Sequence, residues 1–309
     1  MRGDRPRFRP AAGDAGCSDT LGRNRCQSPR KTKLSACFCF SPVCYNQPEM
    51  KIIREPKIYL LARQVIDENA IAEFLDDEGM SWETDTDIPA EKIAEFAGRL
   101  CYLSFGKGRK SNREYIEHIL DVKHGSVTEH AVFTLLFTGI SRSLSHELVR
   151  HRAGWAYSQL SQRYVDESDC NFVEPDFVAE DPQLHRKFIE ILDTIRPAYE
   201  EMTNRLMELI GGKYPEIKDK VTLRKMARQA ARCILPNATE TKICVTANVR
   251  ALRHFIELRA NPAADLEIRR LAVMLCRLMQ KEAPSLFGDY EIYKLPDGTE
   301  ACRTRFVKV

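Results

Sequence analysis

Several hallmarks of common functional classes are missing from this 309-residue sequence. No hydrophobic run approaches the roughly 20 apolar residues that a membrane-spanning helix needs, although 43% of the residues are hydrophobic. No G-x-G-x-x-G or Walker-type loop is present, so a nucleotide cofactor has to be held by side chains instead of a glycine cradle. The eleven cysteines contain no C-x-x-C pair, which argues against a zinc module. What remains is a chain long and apolar enough to bury a sizeable core.

Basic residues are concentrated at one end of the chain. The sequence has 47 Lys and Arg against 44 Asp and Glu, but residues 1–49 contain nine of the former and only four of the latter. The remainder is slightly acidic, so a nucleic-acid-binding surface that covers the whole protein is not indicated. Any basic patch must be local.

Residues 1–49 differ in composition from everything that follows. They are rich in Arg, Pro, Gly and Ser, hold five of the cysteines and lack the apolar core of a signal peptide. We expect them to be a disordered extension or the product of an upstream start codon, with a natural start at Met50; an Arg-rich transit peptide is the alternative. Residues 50–309 are predicted to form one domain. Their scattered cysteines suit reduced thiols in a cytoplasmic protein.

The hydrophobic pattern predicts helices packed around a modest mixed or antiparallel sheet, an α+β fold, because the strict alternation of a doubly wound fold is missing. Short apolar runs predict strands at 57–62, where the strand should be buried, and at 131–138 and 239–246. Capping residues, prolines and glycines predict helices at 89–102, from Ser111 to near 125, from Ser141 or Ser143, at 181–210, 218–234, 248–260 and 264–282. The helix at 181–210 is expected to stop at the Gly pair 211–212.

Residues 150–164 are the part of the chain richest in groups that hold anions. They contain three arginines, a histidine, serines, tyrosines and glutamines, and no acidic residue. Arg cannot lose its proton and binds phosphate through two donors at once. A merely solvated charged face would usually include balancing carboxylates. The missing counter-charge is best supplied by a ligand with phosphates.

The predicted helix after Asn248 places a cation on an apolar face. At 3.6 residues per turn, Asn248, Leu252, Phe255 and Arg259 share one stripe, whereas residues 250, 254 and 257 share another. An arginine on such a stripe needs an anionic or carbonyl partner. That partner is either a buried glutamate in a structural pair or a ligand, and periodicity alone does not choose between them.

The segment at 150–164 resembles the signature of the flavin-dependent thymidylate synthases, which is Arg-His-Arg followed by Ser-x-Arg and usually Tyr. Arg-His-Arg at 150–152 and Ser-Gln-Arg-Tyr at 161–164 match, with one more intervening residue than the family has, which predicts a longer turn between the two halves. Gln159 stands where the family commonly has Glu. It keeps a hydrogen-bond acceptor but not the charge.

Further blocks of this family follow in order. His-Gly-Ser-Val-Thr-Glu-His at 124–130 resembles its His-x-Ser/Thr-x-x-Glu-His element, and residues 232–236, 246–250 and 257–260 match its second half. Glu147 replaces a usual Gln and His254 a usual Asn. The resemblance covers most of residues 50–309.

The resemblance implies an enzyme that methylates dUMP reductively to dTMP, with methylenetetrahydrofolate as carbon donor and NADPH acting through FAD. It implies a cytoplasmic homotetramer with sites at subunit junctions, and no nucleic-acid, membrane or metal partner. The residues implied to hold FAD are Ser126, Arg150, His151, Arg152, Gln159, Asn248, Arg250 and His254. Those implied to bind dUMP are Glu147, Arg150, Gln159, Ser161, Gln162, Arg163, Arg232 and Arg259, and Arg259 has the catalytic role of favouring the ionised uracil imide.

Two nucleophiles are considered and set aside. Ser161 lies among phosphate-type ligands without an oriented base, so we interpret it as a hydrogen-bond donor to phosphate. No core cysteine lies in a basic motif that would lower its pKa. His124 and His130 stay open between packing and site roles. The alternative function is a nucleotide- or single-stranded nucleic-acid-binding module, because the arginines with Trp155 and the tyrosines would suit phosphates and stacked bases.

Overall fold

A four-stranded antiparallel sheet lies at the centre of the computed structural model, which describes residues 50–109 and 111–309. The prediction made for residues 1–49 lies outside the described residues. In spatial order the strands are β2 (Lys57–Arg63), β3 (Val132–Ser141), β6 (Glu240–Asn248) and β4 (Trp155–Gln159). Two smaller pairings are the parallel β1 (Ile52–Ile53) with β5 (Phe172–Val173), and the hairpin of β7 (Glu291–Lys294) with β8 (Glu300–Arg303).

Strand β3 shows why the sheet forms where the apolar pattern predicts it. Phe133, Leu135 and Phe137 alternate along the strand and are at most 3% exposed, as expected for one face packed on a core. On the other face the Thr134 and Thr246 hydroxyls hydrogen-bond across β3 and β6 at 2.9 Å. Strand β6, the other central strand, also alternates in burial along most of its length.

Strand β2 was predicted as a buried strand, and this is wrong. It lies at the edge of the sheet with β3 as its one neighbour, and most of its side chains are exposed. Its pairing is interrupted between Leu60 and Ala62, and Leu61 is 53% exposed. A continuous apolar run does not distinguish an edge strand from a buried one, because neighbours on both sides depend on tertiary pairing.

Helices surround the sheet and begin at the capping residues that the sequence offers. Ser111 accepts a hydrogen bond from the Glu114 amide at 3.2 Å, and Ser141 accepts one from the Leu144 amide at 3.0 Å. The helices are α1 (Glu68–Asp77), α2 (Pro89–Cys101), α3 (Asn112–Asp121), α4 (Arg142–Leu148), α5 (Asp176–Glu180), α6 (Pro182–Lys213), α7 (Lys220–Ala231), α8 (Val249–Arg259), α9 (Leu266–Glu282) and α10 (Pro284–Phe287). Short 3₁₀ helices cover Gly125–His130 and Arg232–Ile234.

The glycine pair at 211–212 does not stop α6, contrary to prediction. The helix continues to Lys213, and α7 packs against it antiparallel. A Cβ on Gly211 would lie 3.9 Å from the Leu223 side chain of α7. Packing against a neighbouring helix offsets the roughly 1 kcal/mol that each glycine costs in a helix interior.

The main core lies between the sheet and α8 and α9. It includes Ile243 of β6, Leu252 and Phe255 of α8, and Leu271 and Leu275 of α9, all of which are fully buried. The architecture confirms the predicted α+β class with an antiparallel sheet. Among the described residues, no helix combines the length and the apolar character that crossing a bilayer requires.

Candidate active site

The Arg-His-Arg motif lies where α4 ends and the chain turns into β4. The turn between the two motif halves was predicted to be one residue longer than in the family, and this stays a prediction. Most of the segment between the halves is strand β4, because Trp155 to Gln159 pair with Ala247 to Ile243 of β6. The turn itself contains Gly154, with φ of +74°, where a Cβ would lie 2.7 Å from Nδ2 of Asn248. The backbone N–H of Asn248 donates to the Gly154 carbonyl at 3.1 Å. The motif is thereby held against the N-terminus of α8.

Arg259, at the end of α8, contacts two residues of the motif region. Its Nη1 donates to Glu147 Oε2 at 2.6 Å, and its Nε donates to His151 Nε2 at 3.1 Å. The side chains of Arg259 and Glu147 remain 22% and 27% exposed. The partner that the apolar stripe required is thus a carboxylate, and it is one of the residues that the sequence places at the dUMP site.

His151 is a neutral hydrogen-bond acceptor in this arrangement. Burial, helped by the charge of Arg259, lowers the pKa of His151 to about 4. The His254 ring lies 5.9 Å from the His151 ring, and Phe255 meets it edge-on at 5.2 Å. The sequence places residues 254 and 259 on different stripes of α8. Both side chains nevertheless approach the His151 imidazole, because that ring lies over the part of the helix surface between the two stripes.

Glu147 has a second carboxylate for a neighbour. Burial, and then a hydrogen bond and repulsion from Asp265, raise the pKa of Glu147, while Arg259 and Arg150 oppose the shift. Asp265 immediately precedes α9. The sequence did not single out Asp265, because nothing in the local pattern places it near residue 147.

Arginines without carboxylate partners gather around the motif. Within the described ranges, none of these has an Asp or Glu oxygen within 4.0 Å: Arg142, Arg150, Arg152, Arg163 and Arg232. In addition, Nε of Arg163 is buried and has no hydrogen-bond partner in this part of the chain. Cations left unpaired in a folded protein suit an anionic ligand.

Arg142, the first residue of α4, was missed by the sequence analysis. Its Nη1 lies 3.5 Å from the Leu160 carbonyl, just before the second motif half. Burial, and to a smaller extent the charge of Arg232, lower the pKa of Arg142, against the charge of Glu167. No sequence signal marks it, since Arg142 and Arg232 are brought together by β6 pairing and not by spacing.

The residues in and before the second motif half differ in exposure and in hydrogen bonding. Ser161 accepts a long hydrogen bond of 3.4 Å from the Arg163 amide, so both belong to one tight turn. Gln162 is only 8% exposed. Gln159 commits its amide nitrogen to the hydroxyls of Ser145 at 2.9 Å and Thr241 at 3.2 Å.

The remaining residues predicted to hold FAD meet at the N-terminus of α8. Asn248 caps that helix through the Ala251 amide at 2.9 Å. Arg250 pairs with Glu129 at 2.5 Å and donates through Nε to the backbone oxygen of Val309 at 3.2 Å. Ser126 is exposed in the adjoining 3₁₀ helix. The structure therefore brings together residues that are more than 120 positions apart in sequence.

Comparison with known proteins shows the family of this chain. Residues 85–285 match the family described as "Thymidylate synthase complementing protein". The flavin-dependent thymidylate synthase of Mycobacterium sp. (strain KMS) is 48% identical over 241 residues, which are 77% of this chain and 94% of that protein. The enzyme of the same name from Mycobacteroides abscessus is 47% identical over 234 residues, 75% of this chain and 91% of its own. The chain belongs to the flavin-dependent thymidylate synthase family.

Cysteine chemistry has little support in this member of the flavin-dependent thymidylate synthases. Burial raises the pKa of Cys170 to about 12, and contact with Cys302 together with burial raises the pKa of Cys276. Both shifts disfavour the nucleophilic thiolate. Among the described residues, no cluster of three or more His, Cys, Asp or Glu side chains is placed to hold a metal ion.

The two open histidines lie apart from the Arg259 contacts. His124 stacks on Tyr102 with ring centroids 6.2 Å apart and planes 16° from parallel. His130 is exposed at the end of its 3₁₀ helix. Their choice between packing and site roles stays a prediction.

Proposed function

We propose that this member of the flavin-dependent thymidylate synthases converts dUMP to dTMP by reductive methylation, with methylenetetrahydrofolate as carbon donor, FAD as cofactor and NADPH as reductant. The observation that carries the proposal is the group of arginines without carboxylate partners around the Arg-His-Arg motif. Each substrate and the cofactor carries phosphate or carboxylate groups, which would balance the charge of these arginines and accept their hydrogen bonds.

The donor set fits FAD. Its pyrophosphate is an anion, and Arg150 and Arg152 are exposed without carboxylate partners in the described part of the chain. Ser126 adds an exposed hydroxyl beside the N-terminus of α8, and Arg250 retains donors beyond its two contacts. Together with His151, Gln159, Asn248 and His254, these residues are proposed to hold the cofactor. Bound FAD supplies the hydride that completes the methyl group.

For dUMP we propose the second motif half and its surroundings as the phosphate site. Ser161 and Arg163 share one turn, and Arg163 has no carboxylate oxygen within 4.0 Å among the described residues. Arg150, Gln159, Gln162 and Arg232 complete the set carried over from the family. Ser161 would act as a hydrogen-bond donor, because no base is placed to activate it as a nucleophile.

Arg259 is proposed to face the uracil ring and to stabilise its ionised imide. An adjacent guanidinium lowers the pKa of an acidic N–H, which raises electron density at the carbon that is alkylated. Neutral His151 accepts from Nε and fixes the plane of the guanidinium without repelling it, and Glu147 holds Nη1. These contacts position the cation before substrate arrives, which avoids the cost of ordering it during the reaction.

Assembly into a cytoplasmic homotetramer is also proposed, with sites completed at subunit junctions. The exposure of Arg150 and Arg152 on either side of the half-buried His151 supports it, because exposed cations of the motif are accessible to a neighbouring copy. Analytical ultracentrifugation of the purified protein tests the tetramer. A monomer at micromolar concentration would contradict it.

The decisive experiment is purification followed by visible spectroscopy and a product assay. The full chain and residues 50–309 should both show flavin absorbance and form dTMP only when dUMP, methylenetetrahydrofolate and NADPH are all present. Loss of all activity in residues 50–309 would contradict the prediction that residues 1–49 are dispensable. Absence of flavin binding together with tight binding of single-stranded nucleic acid would favour the alternative function.

A further inference from the structure

The last residues of the chain run back to the proposed flavin site. Residues 304–309, the final segment, follow β8 and pass along α8. Phe306 is 8% exposed and joins the main core, with Val309 packed against it. The Lys308 amide donates to Glu257 Oε2 of α8 at 3.1 Å. The segment is therefore anchored on both sides of Lys308.

Gly125 shows how closely the final segment approaches the 3₁₀ helix at Gly125–His130. A Cβ at Gly125 would lie 2.5 Å from the Val309 carbonyl carbon and 3.1 Å from its oxygen. These distances are too short for any side chain, so the approach of the Val309 backbone requires glycine there. The next residue is Ser126, one of the residues proposed to contact FAD.

The backbone oxygen of Val309 also fixes Arg250. It accepts from Arg250 Nε at 3.2 Å, while Glu129 accepts from Nη1 at 2.5 Å. A guanidinium has five N–H donors in one plane, so two contacts on different nitrogens set its orientation and leave Nη2 for a further ligand. The Arg250 side chain is 43% exposed, and without these contacts it would be free to adopt several rotamers.

We propose that the final segment is a positioning element of the flavin site, which acts by holding Arg250 through the backbone oxygen of Val309. The inference rests on the proposed function, since it takes Arg250 as an FAD ligand. An arginine held in one geometry before binding loses less conformational freedom when it meets the cofactor phosphates. The segment should therefore affect FAD affinity and leave dUMP affinity unchanged.

The test compares the full chain with a variant that lacks residues 307–309, after removal of flavin from both. FAD affinity is measured by quenching of flavin fluorescence, and dUMP affinity by calorimetry. The deletion should weaken FAD binding about 3- to 10-fold, the range expected when one side chain has to be ordered on binding. It should leave dUMP affinity within about twofold.

A double-mutant cycle separates positioning from general damage. If the segment acts through Arg250, the deletion should weaken FAD binding in the wild-type background and add nothing in an Arg250→Ala background. Gly125→Ala should reproduce the deletion without shortening the chain, because its Cβ displaces Val309. Gly212→Ala is the matched control, since a Cβ there meets nothing within 4 Å.

Thermal melting of each variant shows whether it is folded, and Gly125→Ala provides the answer if the deletion variant does not fold. Unchanged FAD affinity in both variants, or equal losses in the wild-type and Arg250→Ala backgrounds, would overturn the inference and leave the proposed function intact. Failure of the unmodified chain to bind FAD would overturn both.

Discussion

Arginine side chains have opposite environments in two regions of this protein. Near the middle of α8, Arg253 is 3% exposed and donates to both carboxylate oxygens of Asp289 at 2.6 and 2.8 Å. It also donates to the Leu286 carbonyl at 2.5 Å and lies over the Tyr290 ring at 4.9 Å. Around the Arg-His-Arg motif, by contrast, five arginines have no carboxylate within 4.0 Å in the described ranges.

The difference distinguishes structural cations from ligand-binding cations. A guanidinium buried for stability must have its charge balanced by a carboxylate, because an unpaired buried charge is costly. A guanidinium kept for a phosphate must retain donors until the ligand arrives. Arg259 lies between these extremes, with one carboxylate and one neutral acceptor. Each region therefore predicts a different consequence when an arginine is removed.

The largest expected effect concerns stability. Arg253→Ala should lower the free energy of unfolding by about 3 to 5 kcal/mol, because it leaves the Asp289 carboxylate buried without its partner. Urea denaturation followed by circular dichroism measures this. Arg232→Ala, the control from the motif region, should leave stability nearly unchanged. Equal destabilisation by both substitutions would contradict the distinction between structural and ligand-binding arginines.

Arg259→Ala should act on turnover. Loss of a charge-assisted contact to a developing anion typically costs about 2 to 4 kcal/mol in transition-state stabilisation. Steady-state kinetics at saturating dUMP measures the loss, and flavin absorbance should persist. Arg259→Lys should rescue little, because the planar fork that meets Glu147 and His151 is gone. Unchanged turnover, or loss of flavin with dUMP binding retained, contradicts the role proposed for Arg259.

Ser161→Ala tests the proposed phosphate site without removing a charge. If Ser161 donates one hydrogen bond to bound dUMP, its loss should weaken dUMP binding by roughly 1 to 3 kcal/mol and leave measurable methylation. Titration calorimetry and product assays provide the two readouts. Ser158→Ala, an exposed serine of β4, is the matched control. Intact dUMP affinity with no methyl transfer would instead make Ser161 a nucleophile.

A further effect of similar size is a pH dependence next to the motif arginines. Glu167 is 3% exposed, and burial raises its pKa to about 7, against the charge of Arg142. A carboxyl group whose folded pKa lies above its unfolded value stabilises the fold less as pH rises between the two values. Glu167→Gln removes the ionisable carboxyl group and with it this loss of stability at rising pH. Its stability relative to wild type should rise by about 2 to 3 kcal/mol between roughly pH 4.5 and 7.

The quantity to measure is the difference in the free energy of unfolding between wild type and Glu167→Gln, because the contribution of His151 changes with pH in the opposite direction. The pKa of His151 is lowered to about 4, so its contribution to stability is lost as pH falls from its ordinary value. That term is shared by wild type and Glu167→Gln and cancels. Urea denaturation at several pH values provides the curves. A difference that does not change with pH would show that Glu167 does not titrate in this range.

The local parts of this protein were predictable from sequence. Helix starts at Pro89, Ser111 and Ser141 agree with their caps, and the apolar stripe of α8 is buried as its period indicates. The edge position of β2, the continuation of α6 through its glycine pair and the presence of strand β4 were not predicted. Each of these depends on a neighbouring strand or helix that the local pattern does not contain.

By itself, the sequence determined which chemical groups the site contains: a basic motif without acidic residues, an arginine on an apolar helical stripe, and the ordered blocks of one enzyme family. Only the tertiary structure decided which charges meet. Arg259 reaches Glu147 across 112 positions, and Arg250 reaches Glu129 across 121. The physical reason is that helical and strand periods act over a few residues, whereas an ion pair depends on distance in space, which strand pairing and helix packing set.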